Sequence, residues 1–285
     1  MIQSMTGFGK EVIQLPGKKI TIEVKSLNSK NLDLNARIPS FYREKELELR
    51  NLTAKALQRG KIDLSLYVEL NGEETNTAIN EGVVKQYIAQ LKQIADGDEI
   101  DHLKMAIRLP DALKTERDEI DSEEYQTILS GLDRALEAIN TYRSDEGQAL
   151  KVDFEKRIKN ISALLEEVRT LDPERMEGVK DRLEKAVSEL KEKVDENRFE
   201  QELTYYLEKY DITEEKVRLQ NHLDYFLQAL NSADSNGKKL GFIAQEIGRE
   251  INTIGSKSNY APMQKIVVRM KDELEKIKEQ MLNVL

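Results

Sequence analysis

The sequence predicts an α+β fold: an N-terminal β-β-β-α-β unit, then a long helical arm, then a C-terminal helical domain. Apolar and polar residues alternate through the first 70 positions, as in half-buried strands, and recur at helical spacing from about Glu81 onward. The 285 residues also exceed what one core usually holds. We therefore predict an α/β domain with trailing helices at 1–155, a helical arm at 156–196 and a helical domain at 197–285.

Strand and turn signals predict the β-β-β-α-β unit. Residues 4–14 and 19–27 alternate and contain β-branched side chains, and Leu15-Pro16-Gly17 between them is typical of a hairpin turn. Pro39 and Ser40 end a third strand and begin a helix. The remaining elements of the unit are predicted at 32–38 (strand), 42–58 (helix) and 62–68 (strand).

Helical periodicity extends through the rest of the chain. Pro173 interrupts the pattern, so we expect a helix break at 171–173. The predicted helices lie at 83–95, 123–139, 145–190, 197–230, 238–251 and 262–285. Between the last three of these we predict a polar loop at 231–237 and a turn at 254–259, with Ser258 or Asn259 as a helix cap.

The composition excludes several classes of protein. Hydrophobic residues make up 39% of the chain and charged residues 34%, and no apolar run approaches the ~20 residues that span a bilayer. The amino terminus lacks the basic and apolar regions of a signal peptide, so we expect a cytoplasmic protein with no membrane contact. Because cysteine is absent, thiolate metal sites and a cysteine nucleophile are excluded, and any metal must take oxygen and imidazole ligands.

The net charge of −9 conceals an uneven distribution. Residues 1–70 hold 12 basic against 8 acidic side chains, and residues 237–285 hold 9 against 6, so the acidic excess lies in the middle of the chain. Basic ends could meet to form the positive surface that phosphate contacts require. Alternatively, the acidic helices are the well-solvated faces of an ordinary helical protein.

His222 is the candidate for chemistry. The other histidine, His102, lies in a polar segment, which predicts an ordinary surface residue. On the helix predicted at 197–230, Glu208, Glu215 and His222 recur every seven residues and share one stripe, with Arg218 close to it.

The helix after the polar loop carries a second polar face. Glu246, Arg249, Glu250 and Thr253 share it, and antiparallel packing across a short loop would bring both carboxylates towards His222. One imidazole with two carboxylates suits Mn²⁺ or Mg²⁺ and leaves positions open for water and phosphate. The same groups could act as general acid and base on a ribose 2′-hydroxyl without metal. They could also be a charged helix surface and a core histidine.

Residues 252–259, Asn-Thr-Ile-Gly-Ser-Lys-Ser-Asn, gather hydroxyl, amide and lysine groups around one glycine. Backbone donors and a cation in such a loop can hold phosphate. Alternatively, the segment is a capping turn between two helices. It is not a P-loop, because Gly-x-x-x-x-Gly-Lys-Ser/Thr is absent.

Several motifs, ordered from end to end of the chain, resemble the YicC (YloC) family. They are SMTGFG at 4–9, EVKSLNSK at 23–30 with Leu32-Asp33, RGK at 59–61, Arg143 with Glu146-Gly147 and Leu150, Asp211-Ile212 with Glu214-Glu215, Arg218-Leu219 and His222, and EIGREINTIGSK at 246–257. The resemblance implies a bacterial endoribonuclease that acts on structured or small RNA and depends on a divalent metal. It also implies a ring-like homohexamer that encloses the RNA.

The resemblance assigns roles to matching positions. We predict that Glu246, Glu250 and His222, with Glu215, hold Mn²⁺ or Mg²⁺, whose activated water attacks phosphorus. Arg249 and Lys257 would complete the catalytic set by steadying the scissile phosphate. The predicted RNA-binding residues are Lys25, Lys30, Arg37, Lys61, Asn252, Thr253 and Ser256. Gly241 and Gly248 stand where the family frequently has aspartate and asparagine, so neither position supplies a side-chain ligand here.

Two other functions stay open at this point. An RNA-binding adaptor would clamp small RNA and present it to another nuclease, with RNA-decay enzymes as partners, and would not need the carboxylates. A structural helical protein would use residues 145–230 as an interaction surface, but this leaves the polar run at 246–259 unexplained.

Overall fold

The computed structural model describes residues 2–70, 77–115, 120–189, 196–232 and 237–285, and its α+β architecture confirms the predicted fold class. The strands are β1 Gly7–Leu15, β2 Lys18–Leu27, β3 Leu32–Arg37, β4 Gly60–Leu70, β5 Thr77–Ile79 and β6 Leu113–Thr115. The helices are α1 Glu46–Leu57, α2 Glu81–Ile94, α3 Glu99–Ala106, α4 Ser122–Glu189, α5 Glu196–Tyr210, α6 Thr213–Asn231, α7 Gly237–Lys257 and α8 Ala261–Met281. Within the described ranges, no helix is long and apolar enough to cross a membrane.

The first four strands form one sheet in the order β1-β2-β4-β3, and the predicted β-β-β-α-β unit is confirmed. Neighbouring strands are antiparallel, except that β3 runs parallel to β4. α1 and the first half of α4 cover one face of the sheet and bury Ile20, Ile22 and Leu64. The opposite face carries Phe8 and Tyr67, which are exposed.

α4 approaches β1 so closely that position 9 must be glycine. A Cβ on Gly9 would overlap the backbone oxygen of Ala135. Further along the same helix, the guanidinium of Arg143 is fully buried, and burial lowers the pKa of Arg143. Its acceptors, at 3.3–3.5 Å, are the backbone oxygens of Met5, Leu57 and Arg59 and the hydroxyl of Ser26.

A small unit, formed by α2, α3 and the β5-β6 ribbon, follows the sheet. Its two short strands were not predicted. The prediction of a surface position for His102 is wrong, because α3 turns this ring towards α2 and leaves it 6% exposed. His102 Nε2 lies 3.2 Å from the backbone oxygen of Ala95. Gly97 packs against the ring, where a Cβ would come within 3.1 Å of His102 Cε1.

α4 continues unbroken for 68 residues, through Pro173, so the predicted break at 171–173 is wrong. A proline inside a helix removes one backbone hydrogen bond, but tertiary contacts on both sides can offset that loss. Asp172 and Arg175, which flank the proline, are both buried and form an ion pair with an N···O distance of 2.7 Å. The domain division predicted near residue 156 lies inside this helix.

A helix break does occur between α5 and α6, where a single helix at 197–230 was predicted. Asp211 Oδ1 accepts hydrogen bonds from the backbone N–H and the hydroxyl of Thr213, at 3.2 and 2.7 Å. This local bonding competes with a continuous helix. Ile212, fully buried, fixes the chain at the break.

α7 extends to Lys257, so the turn predicted at 254–259 is wrong for its first four residues. Ile254 continues the buried apolar stripe of α7, and this packing carries the helix one turn further. α8 begins after Tyr260 without a side-chain cap, so neither predicted cap residue serves. Gln264 instead donates hydrogen bonds to the backbone oxygens of Gly255 and Ser258, at 2.6 Å each.

The second core lies among α4, α6, α7 and α8. Phe154 and Leu165 of α4 are buried there, whereas Ile139 of the same helix is buried under the sheet. The chain ends meet beside this core, where the N–H of Leu285 donates to the backbone oxygen of Gln3 over 2.9 Å.

Candidate active site

α6 and α7 pack against each other, as predicted from the short connection between them. His222 of α6 interacts electrostatically with Glu250 of α7. The contact between the two helices is apolar and contains Leu219 and Leu223 from α6 and Ile247 and Ile251 from α7. The polar side chains lie at the edge of this contact. The site therefore sits on two helices held rigidly by a common core.

Glu250 is a buried carboxyl group, with 8% of the residue exposed. Burial raises the pKa of Glu250. The positive charges of Arg218 and His222 oppose this rise. The negative charges of Glu215 and Glu214 add to it. A carboxyl group whose pKa is raised by burial beside an imidazole has the properties of a proton-transfer residue.

Glu215 lies about two turns from His222 on α6 and is also buried. Its Oε1 accepts a hydrogen bond of 2.7 Å from Lys257 Nζ. Lys257 also donates to the backbone oxygen of Asp211 over 3.0 Å, which ties the end of α7 to the start of α6. Lys257 is therefore engaged in holding the helix pair together, rather than extended into solvent.

Glu246 lies towards solvent, with 39% of its side chain exposed. Its partner is Arg249, whose NH1 lies 2.9 Å from Glu246 Oε1. The two residues form a surface ion pair along α7, one turn away from Glu250. Of the two carboxylates predicted to approach His222, Glu250 is therefore buried and Glu246 is exposed.

The four predicted metal ligands do not form a preassembled cation site in this chain. Among the described residues, no group of three or more histidine, aspartate or glutamate side chains is placed to hold a metal ion. Lys257 neutralises Glu215, and Arg249 neutralises Glu246. In the single chain, the described donors are therefore not assembled to hold Mn²⁺ or Mg²⁺.

The segment at 252–259 is helical as far as Lys257, so the prediction of an open loop or turn there is wrong for these residues. The hydroxyls of Thr253 and Ser256 donate to the backbone oxygens of Arg249 and Thr253, at 3.1 and 3.0 Å. Asn252 points from the exposed side of α7. Backbone N–H groups inside a helix are already bonded, so this segment does not offer the donors of an open loop.

Glu208 falls outside the candidate site. It lies on α5, beyond the break at Asp211 and Ile212, whereas Glu215 and His222 lie on α6. The seven-residue spacing assumed one continuous helix, so the stripe is confirmed for its last two members only.

The predicted RNA-binding residues of the N-terminal half lie on or beside the sheet. Lys25 ion-pairs with Glu23, with an N···O distance of 3.3 Å. The remaining members, none of which has an ion pair with another described residue, are Lys30, Arg37 and Lys61. They are remote in sequence from α6 and α7.

A buried hydrogen-bond network that was not predicted from the sequence lies beside the site. Asp172 accepts hydrogen bonds from Arg175, at 2.7 and 2.9 Å, and from Lys216 of α6, at 2.6 Å. Arg175 also donates to the backbone oxygens of Tyr210 and Lys257, at 2.8 and 3.4 Å, and so satisfies the ends of α5 and α7. The available signal was an Asp-x-x-Arg spacing beside a proline, which by itself predicts a helix break.

Comparison with known proteins covers almost the whole chain. The family described as "Endoribonuclease YicC-like, N-terminal region" matches residues 2–152, and "Endoribonuclease YicC-like, C-terminal" matches residues 168–285. A protein of Clostridioides difficile named probable endoribonuclease YicC is 35% identical, and one of the same name from Haemophilus influenzae is 29% identical. Each alignment covers 100% of both chains. The chain therefore belongs to the endoribonuclease YicC-like family.

Proposed function

We propose that the chain is an endoribonuclease that cleaves phosphodiester bonds within RNA at the α6–α7 face, with Glu250 and His222 at the centre of the site. The observation that carries this proposal is the buried carboxyl group of Glu250, whose pKa is raised and which lies within the field of His222 and Arg218. Two titratable groups in unlike environments are typical of an acid–base pair. The family, and the names of the two relatives, support RNA as the substrate.

The pair can catalyse attack by a ribose 2′-hydroxyl. Glu250 accepts the proton of the hydroxyl, the 2′-oxygen forms a bond to phosphorus, and the bond from phosphorus to the 5′-oxygen breaks. His222, as imidazolium, gives a proton to the departing 5′-oxygen. The products are a 2′,3′-cyclic phosphate and a 5′-hydroxyl.

Cations at the margin of the site can hold the phosphate. Arg218 pairs with Glu214, and Arg249 pairs with Glu246, and all four of these side chains are more than one-third exposed. Exposed ion pairs are worth little and exchange readily. A phosphate group offers either guanidinium a bidentate partner in place of the carboxylate.

A divalent metal, structured or small RNA as the substrate, and assembly as a homohexamer stay predictions of the family resemblance. In a metal-dependent reaction the cation would supply Lewis acidity and an activated water. The ends of the RNA fragments distinguish the two routes, because attack by water leaves no cyclic phosphate.

The test is cleavage of an end-labelled RNA hairpin by purified wild-type protein, Glu250→Gln and His222→Gln, each with Mn²⁺, with Mg²⁺ and with EDTA. Glu279→Gln, an exposed position on α8, is the matched control. We expect internal cuts by the wild type and the control, and a loss of at least 100-fold in the two site variants. Glu246→Gln, measured separately, shows whether the exposed carboxylate takes part.

Equal cutting by Glu250→Gln and the wild type would reject the assigned site. RNA binding without any cutting by the wild type would favour the adaptor function instead. Cyclic-phosphate ends in EDTA would support the acid–base route, whereas loss of cutting in EDTA would establish that the reaction depends on a metal.

A further inference from the structure

The open face of the four-stranded sheet carries aromatic and basic side chains together with acidic ones, among them Glu23 and Asp63. Side chains on this face belong to alternate residues of each strand, because successive side chains point to opposite sides. Phe8 of β1 lies opposite Lys25 of β2, which lies opposite Asp63 of β4. The helices α1 and α4 pack on the other face, where the buried members of the strands lie.

Two aromatic rings stand on this open face. Phe8 is 43% exposed and Tyr67 is 45% exposed. Tyr67 lies four residues beyond Asp63 along β4, so the two rings are roughly 17 Å apart, from the usual strand spacing and rise. Two exposed rings on one face can each stack on a base of the same strand.

Basic side chains lie on the same face of the sheet as the two rings. Lys25 Nζ lies 5.5 Å from the centroid of the Phe8 ring. Arg37 of β3 lies opposite Ser65 of β4, and Lys61 of β4 lies opposite Leu27 of β2. Arg37 and Lys61 are exposed, and neither has an ion pair with another described residue. Unpaired cations on a surface with aromatic side chains are the features that bind single-stranded nucleic acid.

We propose that the open face of the sheet binds unpaired nucleotides of the RNA substrate, with Phe8 and Tyr67 stacking on bases and Lys25, Arg37 and Lys61 contacting phosphates. The proposal rests on the proposed function, because it takes RNA as the substrate. Aromatic side chains on a four-stranded sheet stack on bases that are not enclosed in a duplex. The surface therefore favours a single-stranded segment over a base-paired one.

The other occupant of such a face would be a second copy of the chain. A second copy would have to place an acidic side chain against each of Arg37 and Lys61, because a buried cation without an anionic partner is costly. A polyanion supplies that partner at each cation and releases counterions as it binds. The charges on the face therefore favour RNA.

The experiment measures binding of a fluorescent 2′-O-methyl RNA, which lacks the 2′-hydroxyl, to the full-length protein. A single strand is compared with the blunt duplex of the same sequence, by fluorescence anisotropy. The variants are Phe8→Leu, Tyr67→Leu and the double substitution, which keep apolar volume but remove the rings. Tyr142→Leu, at a tyrosine of α4 that is 52% exposed, is the matched control, and Tyr67→Phe tests whether the ring alone suffices.

We expect the wild type to bind the single strand more tightly than the duplex. Each ring removed should weaken single-strand binding about tenfold, because stacking on one base is worth about that much. Tyr67→Phe and Tyr142→Leu should bind like the wild type. Unchanged unfolding temperatures show that the sheet is intact, since both rings lie outside its core.

Three results would overturn the inference. If the double variant binds as tightly as the wild type while both still cut the hairpin, the stacking surface is wrong and the proposed function stands. If the wild type neither binds nor cuts RNA, both proposals fail. If the double variant changes the mass of the assembly and not the RNA affinity, the face is an interface between copies.

Discussion

Lys257 Nζ and Glu215 Oε1, 2.7 Å apart, join the last residue of α7 to the first turn of α6. The carboxyl group of Glu215 is buried, and its other oxygen, Oε2, has no hydrogen-bond partner among the described residues. Lys257 is thus the cation that compensates a buried carboxylate beside Glu250. The same contact holds the two helices of the candidate site in register.

Replacing Lys257 with methionine should destabilise the fold by about 2 kcal/mol, because the substitution leaves a buried carboxylate without its cation. Urea unfolding at pH 7 measures the change as a lower midpoint. Lys265→Met, at an exposed lysine of α8, is the control and should change stability by less than about 0.5 kcal/mol. A Lys257→Met/Glu215→Leu double variant should recover part of the lost stability. Equal losses in Lys257→Met and in the double variant would contradict the argument.

Glu250→Gln should stabilise the protein at pH 8 while it abolishes cleavage. Burial raises the pKa of Glu250 above its unfolded value, so the stability this group contributes is present at low pH and is lost as the pH rises through the raised pKa. Glutamine removes the ionisation and should gain about 1 kcal/mol at pH 8. The unfolding temperatures of the wild type and Glu250→Gln, measured at pH 5 and pH 8, should differ more at pH 8. The same difference at both pH values would contradict this prediction.

The same shift predicts the pH dependence of the reaction. A base must be ionised to accept the 2′-hydroxyl proton, so cleavage should rise with pH over a range displaced upwards from that of an ordinary glutamate. Single-turnover rates between pH 4 and pH 9 measure this limb. An unperturbed rise centred on the ordinary glutamate value would reject Glu250 as the base.

Arg143→Met should destabilise the N-terminal half by about 2 kcal/mol. The buried guanidinium is the shared donor for four acceptors, and without it the backbone oxygen of Arg59 and the hydroxyl of Ser26 each lose a buried donor. Arg134→Met, on the same helix, is the control, because its partner Glu11 is at the surface and the pair is worth little. Thermal unfolding of the two variants should differ by several degrees, and equal values would mean that Arg143 is not the anchor.

An added methyl group should have opposite effects on stability at two glycine positions. Gly9→Ala should cost about 3 kcal/mol, because its Cβ would overlap the Ala135 backbone oxygen and force β1 away from α4. Gly241→Ala should gain about 1 kcal/mol, because it lies within α7 with nothing within 4 Å of a Cβ. Chemical denaturation of both variants tests the pair, and a destabilised Gly241→Ala would show that this side of α7 is covered.

Alternation of side chains predicted the sheet correctly, because β1, β2 and β4 each have one buried and one exposed face. Helix ends were predicted less well, because they depend on contacts that are remote in the sequence. Pro173 does not end α4, since Asp172 and Arg175 bind partners from α5, α6 and α7. Conversely, nothing in the apolar pattern shows that Asp211 ends a helix by bonding to Thr213.

The candidate site was predicted in part for similar reasons. Antiparallel packing across a short connection was enough to predict that His222 and Glu250 lie near the contact between the two helices. Helical spacing put Glu246 on the same face as Glu250, but it could not show that Arg249 holds Glu246 at the surface. The sequence also could not show that Lys257 faces Glu215, because the register of two helices depends on how their apolar side chains interlock.

α4 contributes buried side chains to both cores, with Ile139 under the sheet and Phe154 among the C-terminal helices. Roughly 22 Å of one helix separates these two side chains. Because α4 contributes buried surface to both cores, we expect the two halves to melt as one thermodynamic unit. Amide protons near Ile139 and near Phe154 are accordingly expected to exchange with solvent through the same global opening.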